Sequence, residues 1–261
     1  MAFNKNEVLL DKVRSLTGHD LETKKMLLRL TSLEDSSLNC TAEGEEITDA
    51  IGALITTLYR AKKATFSATN SVIAFDLLTQ QYGAEKEIGS AEKKIVGWDY
   101  ATLKVESESV KLPHTPIVDS IKWIYVIESN EVGTAYAVGA TANETTAVVA
   151  NDGTITLPTS VKNGKVYVEY QYEAENAMRI VNKASQFPSA MEVHIYAYFR
   201  DVCNENKVYS GKIICPKAKL NPESVELSLT STGKHPFEFV INRDYCADEG
   251  EDALFEIILA E

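Results

Sequence analysis

From residue 95 to the C-terminus the chain is a succession of short runs in which apolar and polar side chains alternate, each closed by a turn signal. A period of two sends one set of side chains to a core and the other to solvent, as a half-buried strand requires. Strands are predicted over 121–127 (IKWIYVI), 134–138, 154–157, 165–172 (KVYVEYQY), 192–202, 207–215, 223–231, 237–243 and 253–259. In 165–172, Val166, Val168, Tyr170 and Tyr172 share one face. Asn151-Asp152-Gly153 marks a tight hairpin. Asn204-Glu205-Asn206 joins 192–202 to 207–215 in a long hairpin, and Thr232-Gly233-Lys234 joins 223–231 to 237–243.

Upstream, 26–33, 54–59 and 64–68 also read as strands, the last two joined by the basic turn Arg60-Ala61-Lys62-Lys63. One interior segment reads as a helix, 70–82. Asn70 or Ser71 can cap its start and Gly83 is placed to end it. Val72, Phe75, and Leu78 or Thr79 recur at helical spacing, with Ile73 and Leu77 widening the stripe. Phe75 and Leu78 are therefore expected against a sheet, with Asp76 and Gln80 outward. A second short helix is predicted over 7–16, with Val8, Leu9, Val13 and Leu16 as its apolar side. The fold class is mainly β: an antiparallel β-sandwich or barrel with one flanking α-helix. Residues 115–175, rich in Thr, Ala, Val and Asn and poor in Lys and Arg until Lys162, read as an inserted β-rich segment or subdomain. That assigns 1–114 and 176–261 to the main domain.

The search for chemistry returns nothing. GxSxG, GxxxxGK[ST], GxGxxG and HExxH are absent. Cys40, Cys203, Cys215 and Cys246 are too far apart for a zinc half-site, and read as buried free thiols. The acidic neighbours of Cys203 and Cys246 disfavour a nucleophilic thiolate. His19, His114, His194 and His235 are scattered; His194 reads as a structural residue within a strand, and His114 lies in a proline-bounded loop. The run Asp248-Glu249-Gly250-Glu251-Asp252 lacks the spacing of a calcium loop. No catalytic, cofactor-binding or metal-binding residue is assigned, no cofactor is expected, and the chain reads as a non-enzyme. Composition supports this: 44% hydrophobic and 25% charged residues suit a folded chain, and a net charge of −12 with pI near 4.9 disfavours a nucleic-acid-gripping surface. No apolar run is long enough to span a membrane, and the N-terminus does not read as a secretory signal, so a cytosolic site of synthesis and use is expected.

Three segments together resemble the tail tube proteins of long-tailed bacteriophages, a family that includes inner tubes of contractile devices. They are 47–83, where an acidic turn, a strand, a basic turn and a small-residue strand precede the helix; 167–187, ending in Gln186-Phe187 and Pro188; and 192 to the C-terminus, with the Asp201–Cys203 turn and Pro216-Lys217-Ala218-Lys219 as its most distinctive pieces. The resemblance implies a virion tail protein assembled in the host cytoplasm, whose hexameric rings stack into a tube. Inner strands would line a lumen that conducts DNA without binding it. Tape-measure, baseplate or tail-tip and tail terminator proteins would be the partners. The hairpins at 192–215 and 50–68 are expected to supply subunit contacts. Two runs have the polar/apolar split of a lumen lining: Lys63, Thr65 and Ser67 opposite Ala64, Phe66 and Ala68, and Glu192, His194, Tyr196 and Tyr198 opposite Val193, Ile195, Ala197 and Phe199. The lumen is expected to be more acidic than basic.

Two other readings fit a β-rich, acidic, motif-free chain. One is a different virion component, such as a head decoration or head–tail connector protein. The other is a carbohydrate-binding β-sandwich, whose sign is an exposed aromatic platform. Trp98 and Trp123 are the only tryptophans, and Trp123, inside an apolar run, is expected in the core.

Overall fold

The structure is a computed structural model and describes residues 7–204, 206–223, 225–227, 233–244 and 253–260. It is mainly β, with 59% of residues in strands against 3% in a helix. The chain forms two compact units. One takes the residues up to Lys86 and those from Ile180 onward; the other is Glu87–Arg179. In chain order the first unit opens with β1 (Val8–Asp20), β2 (Met26–Leu30), β3 (Leu33–Thr48), β4 (Leu54–Asn70) and α1 (Phe75–Tyr82). A short β5 (Lys86–Ile88) leads into the second unit: β6 (Ile95–Lys104), β7 (Ser109–Lys111), β8 (Trp123–Glu128), β9 (Glu131–Val138), β10 (Thr146–Val149), β11 (Thr154–Thr156) and β12 (Lys165–Ala174). β13 (Met178–Ile180) pairs with β5 as the chain returns to form β14 (Ala190–Asp201), β15 (Val208–Leu220), β16 (His235–Ile241) and β17 (Glu256–Ala260).

The first unit is one sheet in the order β2-β1-β14-β15-β16-β4-β3, with β17 also on β15, and its ladders among the described residues are antiparallel. It curls into a nearly closed barrel-like form. Leu16, Leu30, Phe66, Ile195, Leu220 and Phe239 fill its interior from six strands, and Leu77 enters from the helix. Each such side chain contributes roughly 1.5–3 kcal/mol on burial. The second unit is a seven-stranded sheet, β6-β12-β8-β9-β10-β11-β7, antiparallel except where β9 and β10 run parallel. Its core includes Ile124, Val126, Ile155, Val166, Val168 and Tyr170. The predicted shared face of β12 is this buried one, and Gly153 takes the positive φ that its hairpin needs.

Several local expectations are corrected. Residues 7–16 are strand, not helix: Ser15, Thr17 and Gly18 are poor helix formers, and β14 offers backbone partners from Val8 to Asp20. Arg60-Ala61-Lys62-Lys63 is not a turn but the middle of β4, where Ala61 adopts a positive φ and the ladder to β3 slips between Thr41 and Glu43. The helix begins at Phe75, not at 70. Asn70 is held in β4 opposite both Leu33 and His235, so the strand ladder outcompetes the cap, and Ala74 opens the helix without a side-chain cap. Gly83 ends it in the left-handed region, as expected. Leu78 is buried with Leu77, but Phe75 is 48% exposed. β16 pairs with β15 and β4; of the strand expected over 223–231, residues 225–227 are outside any strand, and 224 and 228–231 lie outside the described residues. Trp123 is 51% exposed, because only alternate residues of β8, Ile124 and Val126, face the core.

Candidate assembly surfaces

A sheet edge is a row of unpaired N–H and C=O groups and a ready template for another chain. Among the described residues the first unit leaves several, the outer side of β2 among them. β2 covers β1 only from Leu16 to His19, so Val8–Ser15 are paired on one side alone, with Leu9 and Leu10 exposed. β3 pairs only with β4, and β17 only with β15. The predicted 192–215 hairpin offers no such free edge. β14 lies between β1 and β15, and β17 covers Ser210–Ile214 of β15, so that hairpin is sheet interior. Its turn is fixed from within. The Tyr209 hydroxyl donates to the buried Asp201 carboxylate at 2.7 Å, and the Cys203 amide donates to the other oxygen at 2.8 Å.

The 50–68 expectation meets a different geometry. β4 alternates buried and half-buried only from Ala64 to Asn70; before that, β3 and β4 continue together as a two-stranded ribbon exposed on both faces. Its tip is tied by Asp49, whose carboxylate accepts from the amides of Ile51 and Ala53 at 3.0 and 2.8 Å. Gly52 supplies the positive φ. Ion pairs Arg60–Glu45 (3.1 Å) and Lys63–Glu43 (2.9 Å) cross the strands. The ribbon nonetheless carries Ile51, Leu54, Ile55, Leu58 and Tyr59 into solvent, Ile51 at 90% exposure. An isolated two-stranded ribbon is marginal in water, and an apolar one needs a surface to cover it.

Both polar/apolar splits are visible in the burial, except that Phe199, expected with the apolar set, is half-buried. Ala64, Phe66 and Ala68 are buried opposite half-buried Thr65 and Ser67 and exposed Lys63, and Val193, Ile195 and Ala197 are buried opposite half-buried Glu192, His194, Tyr196 and Tyr198. On the latter face the cations are engaged. Lys24 pairs with Glu192 at 2.6 Å, Arg14 lies over Tyr198 and Lys212 over Tyr196. His194 meets Glu192 at 2.6 Å and packs its ring 4.8 Å from that of His19. Burial pushes the His194 pKa down, and Glu192 pulls the other way.

The remaining candidates are structural. His235 is fully buried, with Nε2 2.6 Å from Gln81 Oε1, so a neutral ring donates that proton while Nδ1 has no hydrogen-bond partner among the described residues. Burial pushes its pKa down. His114 stacks on Tyr172 at 4.3 Å. Cys215 is buried as expected, and burial raises its thiol to about 12. Cys40 and Cys203 are free but exposed, contrary to expectation, because Cys40 lies on the outer strand and Cys203 in a turn. Cys246 and residues 248–252 lie outside the described residues. Among the described residues no cluster could hold a metal ion, and no helix is long and apolar enough to cross a membrane.

The ribbon's exposed apolar side chains were within reach of sequence reading, since Ile51, Leu54, Ile55 and Leu58 precede the clean alternation of 64–68. The open edges were not, because they depend on which strands pair. A search of curated proteins finds no match. A family model does match, over residues 8–253, nearly the whole chain: that of the YomU/Tube protein family.

Proposed function

The chain belongs to the YomU/Tube protein family, a phage tube-type family, and from that premise we propose that it is a tail tube subunit whose copies close into hexameric rings stacked around a DNA-conducting lumen. The observation that carries the reading is the pairing of open edges with a projecting ribbon in one unit. Among the described residues the curled sheet leaves β1, β3 and β17 each with a free side, and the β3–β4 ribbon carries unburied apolar residues beyond the sheet. Lateral closure would pair edges, and the ribbon would reach a neighbouring copy. Each contact removes a liability that a lone subunit carries.

DNA passage asks for a wall that does not hold phosphate. The face of β14 with Glu192, His194, Tyr196 and Tyr198 suits this role, since Lys24, Arg14 and Lys212 are already occupied by a carboxylate and by tyrosine rings. The net charge of −12 acts in the same direction. In this reading the chain is a non-enzymatic virion component assembled in the host cytoplasm. Tape-measure, terminator and baseplate or tip proteins are its partners, and the second unit, residues 87–179 where the sequence suggested 115–175, is an insertion that the ring itself does not require. Negative-stain microscopy of the purified chain tests it. Stacked six-fold rings are expected; a chain that stays monomeric at all concentrations and salts, alone and in a virion extract, overturns it.

A further inference from the structure

The second unit presents an aromatic face that the tube reading does not use. On β6, Trp98 and Tyr100 point away from the core and are 69% and 68% exposed. On β12 the outward set includes Tyr167, and on β8 it includes Trp123 and Tyr125. The rings form a row across three adjacent strands: Tyr100 to Tyr167 at 6.0 Å between centroids, and Tyr167 to Tyr125 at 6.5 Å. Both tryptophans of the chain lie on this face.

Polar groups are interleaved with the rings. Gln171 lies directly across from Trp98, and Glu169 across from Tyr100. Glu169 is exposed and accepts a hydrogen bond of 2.6 Å from the Tyr167 hydroxyl. A shallow hollow forms between Trp98, Tyr100 and Glu169.

We propose that this face is a carbohydrate-binding platform for neutral or N-acetylated glycans. Pyranose rings have an apolar C–H face that stacks on an aromatic ring and a rim of hydroxyls that need acceptors and donors. Trp98 and Tyr100 supply the first; Glu169 and Gln171 supply the second. A dry protein contact would have to desolvate the exposed Glu169 carboxylate, whereas a sugar hydroxyl can donate to it on an open face that stays wet. A polyanion is repelled by the same carboxylate. The open sheet face, with rings spread over three strands, suits an extended chain of sugars better than a single one. Repetition of the unit along an assembly would multiply a weak single-site affinity.

The test uses the full chain and its own tryptophans. Chitotetraose, cellotetraose and maltotetraose are titrated separately while tryptophan emission is followed, with heparin as the polyanion. At least one neutral oligomer should give a saturable change, and heparin none. Trp98→Ala should raise the half-saturating concentration about tenfold, as loss of a stacked ring does, with an unchanged far-ultraviolet circular dichroism spectrum. Val118→Ser, at an exposed loop position, should bind as the parent does. Absence of saturation with all three oligomers, equal binding by Trp98→Ala, or preferential heparin binding overturns the proposal. So does protection of both tryptophans from acrylamide quenching in assembled tubes, which would assign the face to a second copy. Because ring formation is scored separately by microscopy, failure of the glycan site leaves the tube reading standing, and the reverse.

Discussion

The carbonyl oxygen of Phe187 occupies the space where a side chain on Gly83 would begin: a Cβ at residue 83 would sit 2.2 Å from it. The residue that ends α1 and the loop that leads into β14 are thus locked backbone to backbone. Gly83 also has a φ of +62°. Gly83→Ala therefore meets both a left-handed backbone penalty of about 1–2 kcal/mol and an overpacking penalty of about 1–3 kcal/mol. A chemical-denaturation midpoint should show a loss of about 2–5 kcal/mol relative to the parent. A neutral result would mean that the loop moves freely away from the helix.

The helix has a buried and an exposed apolar residue two positions apart, and they should behave differently. Leu77 is fully buried, so Leu77→Ala is expected to cost about 2–5 kcal/mol. Phe75 is half exposed, and Phe75→Ala should cost less than about 1 kcal/mol in the isolated chain. If the two losses prove equal, Phe75 is a core residue.

Charging the ribbon separates folding from assembly. Ile51→Asp and Ile55→Asp place carboxylates at exposed positions and should leave the melting temperature of the monomer within a few degrees of the parent. Sedimentation and negative-stain images should show fewer and shorter assemblies. Normal tubes from both variants would remove the ribbon from the set of contacts.

Acidification should destabilise the fold below about pH 6.5, the ordinary histidine value. Burial lowers the pKa of His235, and likewise of His194, so the unfolded chain binds the extra protons. Their contribution is complete above the unfolded value and is lost as pH falls through it. Melting temperatures from pH 8 to 5 should fall, less steeply in His235→Gln. A flat or rising profile for the parent would contradict the buried neutral ring.

Thiol labelling should sort the cysteines by burial. Cys40 and Cys203 should react quickly with a maleimide in the native chain, whereas Cys215, with its thiol pushed up to about 12, should react only on unfolding. Native-state labelling of Cys215 at the same rate would show that the core beneath β15 opens readily.

The sequence by itself determined whatever one strand or one turn decides alone. Val166, Val168 and Tyr170 on a common face, Gly153 in its hairpin, Gly83 at the helix end and the split along 192–199 all follow from period-two alternation or from glycine's freedom at positive φ, which involve near neighbours only. Tertiary pairing decided the rest. Residues 8–16 became strand because β14 supplied a ladder that no local pattern encodes, and Asn70 left the helix because Leu33 and His235 held it extended from both sides. The same cause hid the candidate surfaces. An open edge or an uncovered face is a statement about which partner is missing, so Trp123 could be read as core from its apolar neighbours and still stand in solvent, since alternate residues of β8 alone turn inward.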